Sequence, residues 1–270
     1  MTPEPAVARP AATVLLIRDA DGPRPLQVFL QRRVAGMAFA GGMTVFPGGG
    51  VDPSDLPDPA LWSGPDPHWW GNRITAGADL AGRLVHAAVR ETFEECGVLL
   101  AARADGSPPD RAVFPAERAA LVARERTLRD VLTAGGLVLR ADLLHAWARW
   151  VTPEESPRRY DTAFFVAAVP EGQQADAHTT EAVEAAWWHP AQALERWQAG
   201  EMELMAPTFR TLQEIGEYPD TASVLAAAAE REVAPVTPRV RKDGDHVVIV
   251  LPGDPDFEIA AGHLQPGGAT

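Results

Sequence analysis

The sequence predicts an α/β protein, because strand-like and helix-like segments alternate along the chain. Short apolar or alternating runs at residues 13–17, 26–31 and 160–169 are typical of β-strands. Residues 81–100 contain no proline, and their apolar and acidic residues recur at helical spacing. This pattern predicts a long helix that ends near Gly97.

The first two strands form a predicted antiparallel pair, because residues 19–25 between them have the composition of a turn. Residues 35–50 hold six glycines and predict a loop, which a short strand at 43–46 interrupts. Residues 56–82 are rich in proline, tryptophan and aspartate and predict an irregular insert pinned by its aromatic side chains.

The rest of the chain predicts further helices and strands around one domain. A helical insert is predicted at 111–147, with helices at 115–133 and 141–147. Later elements are predicted in the order strand 183–189, helix 190–197, helices 208–215 and 221–230, and strand 246–251 after an Asp-Gly turn at 243–244. We expect a single domain over 12–252, with a C-terminal extension at 207–252 and flexible tails at 1–11 and 253–270.

The charge balance and the cysteine count limit the possible partners. Lysine and arginine number 24 against 37 aspartate and glutamate, so the net charge is −13, which disfavours binding to nucleic acid or to an anionic membrane. Apolar runs fall far short of the roughly 20 residues of a membrane helix, and the N-terminus does not resemble a signal peptide. We therefore expect a cytoplasmic protein. Its one cysteine, Cys96, excludes an internal disulfide, and acidic neighbours argue against a nucleophilic thiol.

An acidic motif, Arg90-Glu91-Thr-Phe-Glu94-Glu95-Cys-Gly97-Val98, lies in the predicted long helix. Its three carboxylates, at positions i, i+3 and i+4, share one helix face and repel one another. A solvated acidic face is one interpretation. A divalent cation is the other, because clustered hard oxygen ligands suit Mg²⁺ or Mn²⁺.

A glycine-rich turn, Phe46-Pro-Gly-Gly-Gly-Val-Asp52, lies upstream of this helix. Consecutive glycines let the backbone approach a metal or a phosphate closely. A plain glycine turn is the alternative, since the spacing matches neither the dinucleotide-binding fingerprint nor the P-loop. The histidines show no H-x-x-x-H spacing, which argues against zinc.

Together, in this order, the two motifs resemble the Nudix hydrolase signature, G-x5-E-x7-R-E-U-x-E-E-x-G-U, where U is aliphatic. Gly49, Asp55 and the stretch Arg90–Val98 follow the pattern. Asp55 stands where the family has glutamate, residues 56–89 fill a gap that is normally seven residues, and Thr92 replaces an aliphatic residue. The resemblance implies an α/β/α sandwich with a mixed sheet, an irregular insert inside the motif and a helical insert.

A split motif is a feature of the coenzyme A diphosphatases of the peroxisomal type and their bacterial relatives, and this chain resembles them beyond the motif. The similar stretches are 30–33, 42–49, 147–153 and 158–165. Against the coenzyme A motif of other Nudix diphosphatases, Leu30, Arg33, Gly42 and residues 46–49 match, whereas Val34 and Ala38 do not. The resemblance implies hydrolysis of coenzyme A or an acyl-coenzyme A to adenosine 3′,5′-bisphosphate and (acyl-)phosphopantetheine.

The resemblance also implies roles for the motif residues. Glu91, Glu94 and Glu95 are the expected ligands of Mg²⁺ or Mn²⁺, and one of them is also the expected base. Arg90 is expected to orient a glutamate, and a carbonyl at Gly48 or Gly49 to complete the metal shell while the same turn binds substrate. A further base from a loop across the cleft is expected at Glu181 or Glu184, each of which is otherwise an ordinary surface glutamate.

The anionic substrate requires cations, and two adjacent arginine pairs are the candidates: Arg32, Arg33, Arg158 and Arg159. Strand alternation allows one of each pair to face the cleft, and Arg33 is preferred because it falls on the coenzyme A motif. Surface ion pairs are the alternative for all four. Trp62, Trp69 and Trp70 of the insert either clamp the substrate or pin the loop.

Two alternatives to coenzyme A hydrolysis remain at this point. One keeps the chemistry and changes the substrate to NADH, ADP-ribose or a dinucleoside polyphosphate. The other is a nucleotide-sensing module without turnover, against which the intact glutamates argue. We expect a small-molecule nucleotide-diphosphate substrate and no nucleic-acid or membrane partner, and a homodimer is left open.

Overall fold

A computed structural model describes residues 6–36, 40–176, 182–243 and 246–253. The strands are β1 (Arg9–Asp19), β2 (Leu26–Arg33), β3 (Thr44–Val45), β4 (Gly48–Gly50), β5 (Trp62–Ser63), β6 (Ala101–Arg103), β7 (Leu137–Arg140), β8 (His145–Val151), β9 (Tyr160–Ala168), β10 (Ala182–Trp188), β11 (Pro235–Val236), β12 (Arg239–Asp243) and β13 (His246–Val250). The α-helices are α1 (Pro67–Arg73), α2 (Ala78–Cys96), α3 (Phe114–Val122), α4 (Leu128–Gly135), α5 (Pro190–Gln198), α6 (Ala206–Ile215) and α7 (Thr221–Glu230).

The main sheet is mixed, as the resemblance implies. Its strand order is β10-β2-β1-β9-β8-β11, with β3 attached to β2 and β4 attached to β1. The central strand β1 runs parallel to β9 and antiparallel to β2 and β4. Because β1 is long, β2 pairs with its C-terminal end, and β4 pairs with residues 11–13 near its beginning.

Two apolar layers cover the two faces of this sheet. Val14 and Leu16 of β1 pack in the layer that contains α2, whereas Leu15 and Ile17 pack in the layer that contains α5, α6 and α7. This alternation is the period of two that a strand buried on both faces requires. The helices therefore sandwich the sheet, and the predicted α/β/α architecture is confirmed.

Helix α2 carries the glutamates and is the longest helix among the described residues. It ends at Gly97, which has a φ of 71° and closes the helix with a hydrogen bond from its backbone N–H to the Phe93 carbonyl. A left-handed residue at this position favours glycine, because glycine has no Cβ to collide with the carbonyl. The predicted end of the helix is confirmed.

The insert at 56–82 is more ordered than the predicted irregular loop. It contains a 3₁₀ turn (Pro59–Leu61), β5, α1 and the first turns of α2. Trp70 and Ile74 are fully buried in the core, and the Trp70 ring packs edge-on against Phe165 of β9 at 5.5 Å between centroids. Composition cannot show this, because Trp70 is buried against a strand that lies far away in the sequence.

The helical insert at 111–147 is also different from the prediction. The predicted helix at 115–133 is broken into α3 and α4, and the predicted helix at 141–147 is wrong. A 3₁₀ turn (Ala141–Leu143) is followed there by β8, which pairs antiparallel with β9 and buries Trp147. Sheet pairing overrides helix propensity in this alanine-rich segment.

The ends of the chain refine the predicted boundaries. Strand β1 begins at Arg9, inside the predicted tail 1–11, and the Arg9 N–H donates to the Arg159 carbonyl. Helices α6 and α7 match their predicted positions, and β13 pairs with β12. Residues 244–245 and 254–270 lie outside the described residues, so the predicted turn and C-terminal tail stay predictions, as do the domain limits. Within the described ranges, no helix has the length and apolar character of a membrane span.

Candidate active site

The glycine-rich turn is the short strand β4 rather than a plain loop, and it brings α2 against β1. Gly48, Gly49 and Gly50 pair with Thr13, Ala12 and Ala11 of β1. A Cβ on Gly49 would collide with the Glu91 carboxylate, and a Cβ on Gly48 would collide with the backbone of β1. The glycines are therefore required for the close approach of backbone and carboxylate.

Arg90 is the centre of the polar network on α2. Its Nη1 donates to Glu91 Oε1 at 2.8 Å and to Glu94 Oε2 at 3.2 Å, and its Nη2 donates to the Gly50 carbonyl at 2.9 Å. Only 8% of the residue is exposed. One guanidinium thus contacts two carboxylates of the acidic face and the backbone of β4, and the orienting role of Arg90 stays a prediction.

Asp55 holds the other side of this guanidinium and has no exposed surface. It accepts from Arg90 Nε at 2.8 Å and Nη2 at 3.0 Å, and from the backbone N–H of Asp52 at 2.7 Å. His86 Nδ1 lies 3.0 Å from its Oδ1. Burial alone would raise the pKa of Asp55, but the hydrogen bonds from His86 and Arg90 outweigh it and lower the pKa.

Burial also changes the pKa values of the other charged residues in the network. Burial raises the pKa of Glu91 to about 7, against the opposing charge of Arg90. Burial also raises the pKa of Glu94, again opposed by Arg90. For Arg90 itself, burial acts to lower the pKa, but the hydrogen bonds to Asp55 and the nearby glutamates raise it. The acidic face is therefore a partly buried cluster and not a solvated surface.

Glu95, which follows Glu94 on α2, also contacts β4. Its Oε2 accepts from the Gly48 N–H at 2.7 Å and from the Gln31 side-chain amide. Glu95 is buried, and so is its neighbour Cys96, whose thiol pKa burial raises. The expectation that Cys96 is no nucleophile agrees with this environment.

The arginine pair on β2 is divided between the two faces of the sheet. Arg32 lies opposite Glu184 in the pairing with β10, and its Nε is 3.6 Å from the Glu184 carboxylate. Gln31 points to Glu95 on the α2 face, so alternation places the partly buried Arg33 on that same face. The structure therefore brings Arg33, and not Arg32, to the side of the glutamates.

The second arginine pair lies at the start of β9. Arg159 donates to the carbonyls of Thr152 and Ala6. These bonds connect the segment between β8 and β9 to the beginning of the chain. Arg158 and Arg159 line an open groove of about 670 Å³ together with Arg9. The residues that line this groove include none of those that contact Arg90.

Of the two candidate loop bases, the structure describes Glu184 only. Glu184 lies within β10, 56% of its side chain is exposed, and its ion pair with Arg32 places it on the face away from Glu95. The structure therefore does not bring Glu184 to the acidic cluster, because strand alternation points it the other way. Glu181 lies outside the described residues.

Sequence reasoning missed Gln31 and His86. His86 lies one turn before Arg90 on α2, and this i, i+4 spacing was the signal that could have linked the two residues to one partner. Gln31 carries no comparable signal, because its contact with Glu95 depends on the pairing of distant segments. The tryptophans also divide: Trp70 is a core residue, Trp62 donates to the Pro65 carbonyl, and Trp69 is 43% exposed.

The donor set fits a hard divalent cation. Glu91, Glu94 and Glu95 offer carboxylate oxygens on one helix face beside the β4 backbone, which are the ligand types of Mg²⁺ and Mn²⁺. Burial raises the pKa of Glu91 although the charge of Arg90 opposes the rise, and a bound cation would add positive charge beside this carboxylate. Within the described residues, no three Asp, Glu, His or Cys side chains are already grouped around one point, because Arg90 and Gly48 engage the carboxylates.

Comparison with protein families gives a match over residues 68–215, more than half of the chain, to the family described as the NUDT19 Nudix domain. This match decides the family. The chain belongs to the NUDT19 Nudix family.

Other proteins of this kind are similar over most of the chain. The acyl-coenzyme A diphosphatase NUDT19 of Homo sapiens is 30% identical over 76% of this chain and 59% of its own length, so the chain spans somewhat more than half of the human protein. The protein of the same name from Gallus gallus is 28% identical over 91% of this chain and 79% of its own length.

A solved structure of similar sequence supports the Nudix fold of this chain. A crystallised Nudix hydrolase from Alicyclobacillus acidocaldarius is 30% identical, with a TM-score of 0.69, and the match covers 82% of this chain and 96% of that chain. The resemblance and the fold class predicted from the sequence are thus confirmed.

Proposed function

We propose that this member of the NUDT19 Nudix family hydrolyses a diphosphate bond in a nucleoside diphosphate derivative. The preferred substrate is coenzyme A or an acyl-coenzyme A, cut to adenosine 3′,5′-bisphosphate and (acyl-)phosphopantetheine. The observation that carries the proposal is the Arg90 network, which aligns Glu91 and Glu94 against the backbone of β4. The names of the human and chicken relatives, both acyl-coenzyme A diphosphatases, support this choice of substrate.

The proposed cofactor is Mg²⁺ or Mn²⁺, held by Glu91, Glu94, Glu95 and a carbonyl of Gly48 or Gly49. When bound, such an ion supplies positive charge that acidifies a water molecule and withdraws charge from phosphoryl oxygens. One of the three glutamates is the proposed base. Glu181 stays a candidate for a second base, and its position on the chain just before β10 is the reason.

The protein's own residues then orient the reacting groups. Asp55 fixes the Arg90 guanidinium, and Arg90 in turn fixes the carboxylates of Glu91 and Glu94. Such fixed donors and acceptors need little reorganisation during the reaction, which is a large part of enzymatic rate enhancement. Gly48 and Gly49 of β4 let this backbone lie directly against β1 and the Glu91 carboxylate.

Arg33 is the proposed contact to a substrate phosphate, because strand alternation places it on the face of Gln31 and Glu95. Arg32, Arg158 and Arg159 have less support as substrate residues. Arg32 faces Glu184, and the other two line a groove that includes none of the residues in contact with Arg90. The proposed location is the cytoplasm, which agrees with a single free cysteine.

A hydrolysis screen tests the proposed function. Purified protein is incubated with Mg²⁺ or Mn²⁺ and with coenzyme A, NADH, ADP-ribose or diadenosine polyphosphates, and products are identified by mass. We expect coenzyme A to have the highest kcat/KM and to yield adenosine 3′,5′-bisphosphate. Preference for NADH or ADP-ribose would contradict the substrate, and no metal-dependent hydrolysis of any of them would contradict the function.

The same assay separates the contributions of Arg33. Arg33→Ala should raise the KM for coenzyme A about 10-fold or more, through loss of a charge-assisted phosphate contact. Dephospho-coenzyme A, which lacks the 3′-phosphate, shows which phosphate is involved. A loss on coenzyme A alone assigns Arg33 to the 3′-phosphate, an equal loss on both assigns it to the diphosphate, and no loss on either contradicts a phosphate contact.

A further inference from the structure

Arg124, in the turn between α3 and α4, is a second arginine at the acidic cluster. Its Nη1 lies 4.0 Å from Oδ2 of Asp52, which is in the loop that follows β4. The charge of Arg124 is also among those that act on the Glu94 carboxylate of α2. The helical insert thus places a cation beside the loop and the helix that form the site.

The turn that carries Arg124 is held on both sides. On one side, Arg126 in the turn is bonded to Glu117 of α3: its Nη1 donates to both carboxylate oxygens at 2.9 and 3.0 Å. After it, Thr127 and Asp130 form a capping box at the start of α4. The backbone at Arg124 is therefore fixed by its neighbours and independent of its own side chain.

Arg124 has an unusual backbone conformation, with a φ of 58°. Residues that follow a helix end in this left-handed region are usually glycine, because a Cβ crowds the backbone there. Backbone conformations of this kind persist only where the surrounding structure holds them, and they cluster at functional sites. Arginine at this position therefore points to a use for its side chain.

The side chain is available to a ligand. It is 87% exposed, and its contact with Asp52 is at the outer limit of ion-pair distance. Exposed pairs of this geometry contribute little stability, so an incoming anion can replace the Asp52 contact. The planar guanidinium can donate two parallel hydrogen bonds to phosphate oxygens.

We propose that Arg124 is a substrate-binding residue that contacts the phosphate oxygens of a nucleoside diphosphate held beside α2. This inference rests on the proposed function of the same site. It gives the helical insert a role in binding, because α3 and α4 position this arginine. The chemistry that it recognises is the diphosphate group, which all the candidate substrates share.

Arg124→Gly tests the proposal, because glycine removes the charge and accepts the left-handed backbone. Binding of ADP is measured by calorimetry in buffer with Mg²⁺, together with thermal unfolding. We expect Kd for ADP to rise about 10-fold to 100-fold, as for loss of one charge-assisted contact, while Tm stays equal or increases. KM for coenzyme A should rise in parallel with a smaller change in kcat, and Arg124→Lys should restore part of the affinity.

Arg210→Ala is the matched control, because Arg210 is 51% exposed on α6, in the layer on the other face of the sheet. It should leave Kd unchanged. An unchanged Kd for ADP in folded Arg124→Gly would overturn the proposal. If Arg124→Gly fails to fold, Arg124→Asn replaces it, because asparagine also tolerates the left-handed region. ADP binding needs no turnover, so failure of the hydrolysis screen with an intact Arg124 effect would contradict the proposed function alone.

Discussion

Replacing Asp55 with asparagine tests whether this buried carboxylate is the foundation of the Arg90 network. The change keeps the size of the side chain but removes the charge that two Arg90 nitrogens contact at 2.8 and 3.0 Å. Removal of one partner from a buried ion pair costs about 3 to 5 kcal/mol, because the other charge loses its compensation. We expect a cost of about 3 kcal/mol, at the low end of that range, since Arg90 keeps Glu91 and Glu94 as partners.

The cost is measured by urea unfolding of the wild type and the variant at neutral pH. Asp79→Asn is the matched control, because Asp79 pairs with Arg83 at 3.0 Å on the same helix but is 80% exposed. The control should change the free energy of unfolding by less than about 1 kcal/mol. Equal effects of the two substitutions would refute the idea that burial makes the Asp55 contact important.

Two further predictions concern the pH dependence of stability and the insert. The raised pKa of Glu91, about 7 against 4.5, means that the folded metal-free protein retains a proton that the unfolded chain releases. Stability should therefore fall as pH rises from 4.5 through 7, by roughly 3 kcal/mol at most, and Glu91→Gln should remove this part of the pH dependence in urea titrations; a slope that survives the substitution would contradict the assignment. Trp70→Ala should lower the free energy of unfolding by about 3 to 5 kcal/mol in the same assay, because Trp70 is fully buried. Trp69→Ala should cost far less, because Trp69 is 43% exposed. Similarly small costs for both variants would show that the insert is an excursion outside the core.

The parts of the fold that were predictable from sequence are those with local signals. Helix α2 has a proline-free periodic pattern and a glycine at its end, and β1 and β2 have short apolar runs around a turn. These signals belong to the segment itself, so no knowledge of distant partners is needed.

The parts that sequence could not show depend on distant segments. Residues 145–147, the first three of β8, are predicted to be helical, because this segment forms a strand only when it pairs with β9. Trp70 could not be recognised as a core residue until β9 placed Phe165 against it. The same limit applies to Glu184, whose exposure and partner follow from the register of β10 on β2.

The candidate site divides in the same way. The motif on α2 identified the glutamates and Arg90, and the signature spacing identified Asp55, because all of these depend on linear pattern. Gln31 and Arg124 came from three-dimensional contacts between segments that no local pattern connects. His86 is between these cases, since its helical spacing to Arg90 was visible but its shared partner Asp55 was not.

The turnover of Glu94→Gln on coenzyme A tests the central claim, that the carboxylates of α2 perform metal-dependent diphosphate hydrolysis. The substitution keeps an acceptor for Arg90 but removes one ligand charge, so kcat should fall on the order of 100-fold or more while the thermal unfolding transition remains. Glu214→Gln on α6 is the control and should retain the wild-type rate. A folded Glu94→Gln protein that hydrolyses coenzyme A at nearly the wild-type rate would contradict the account.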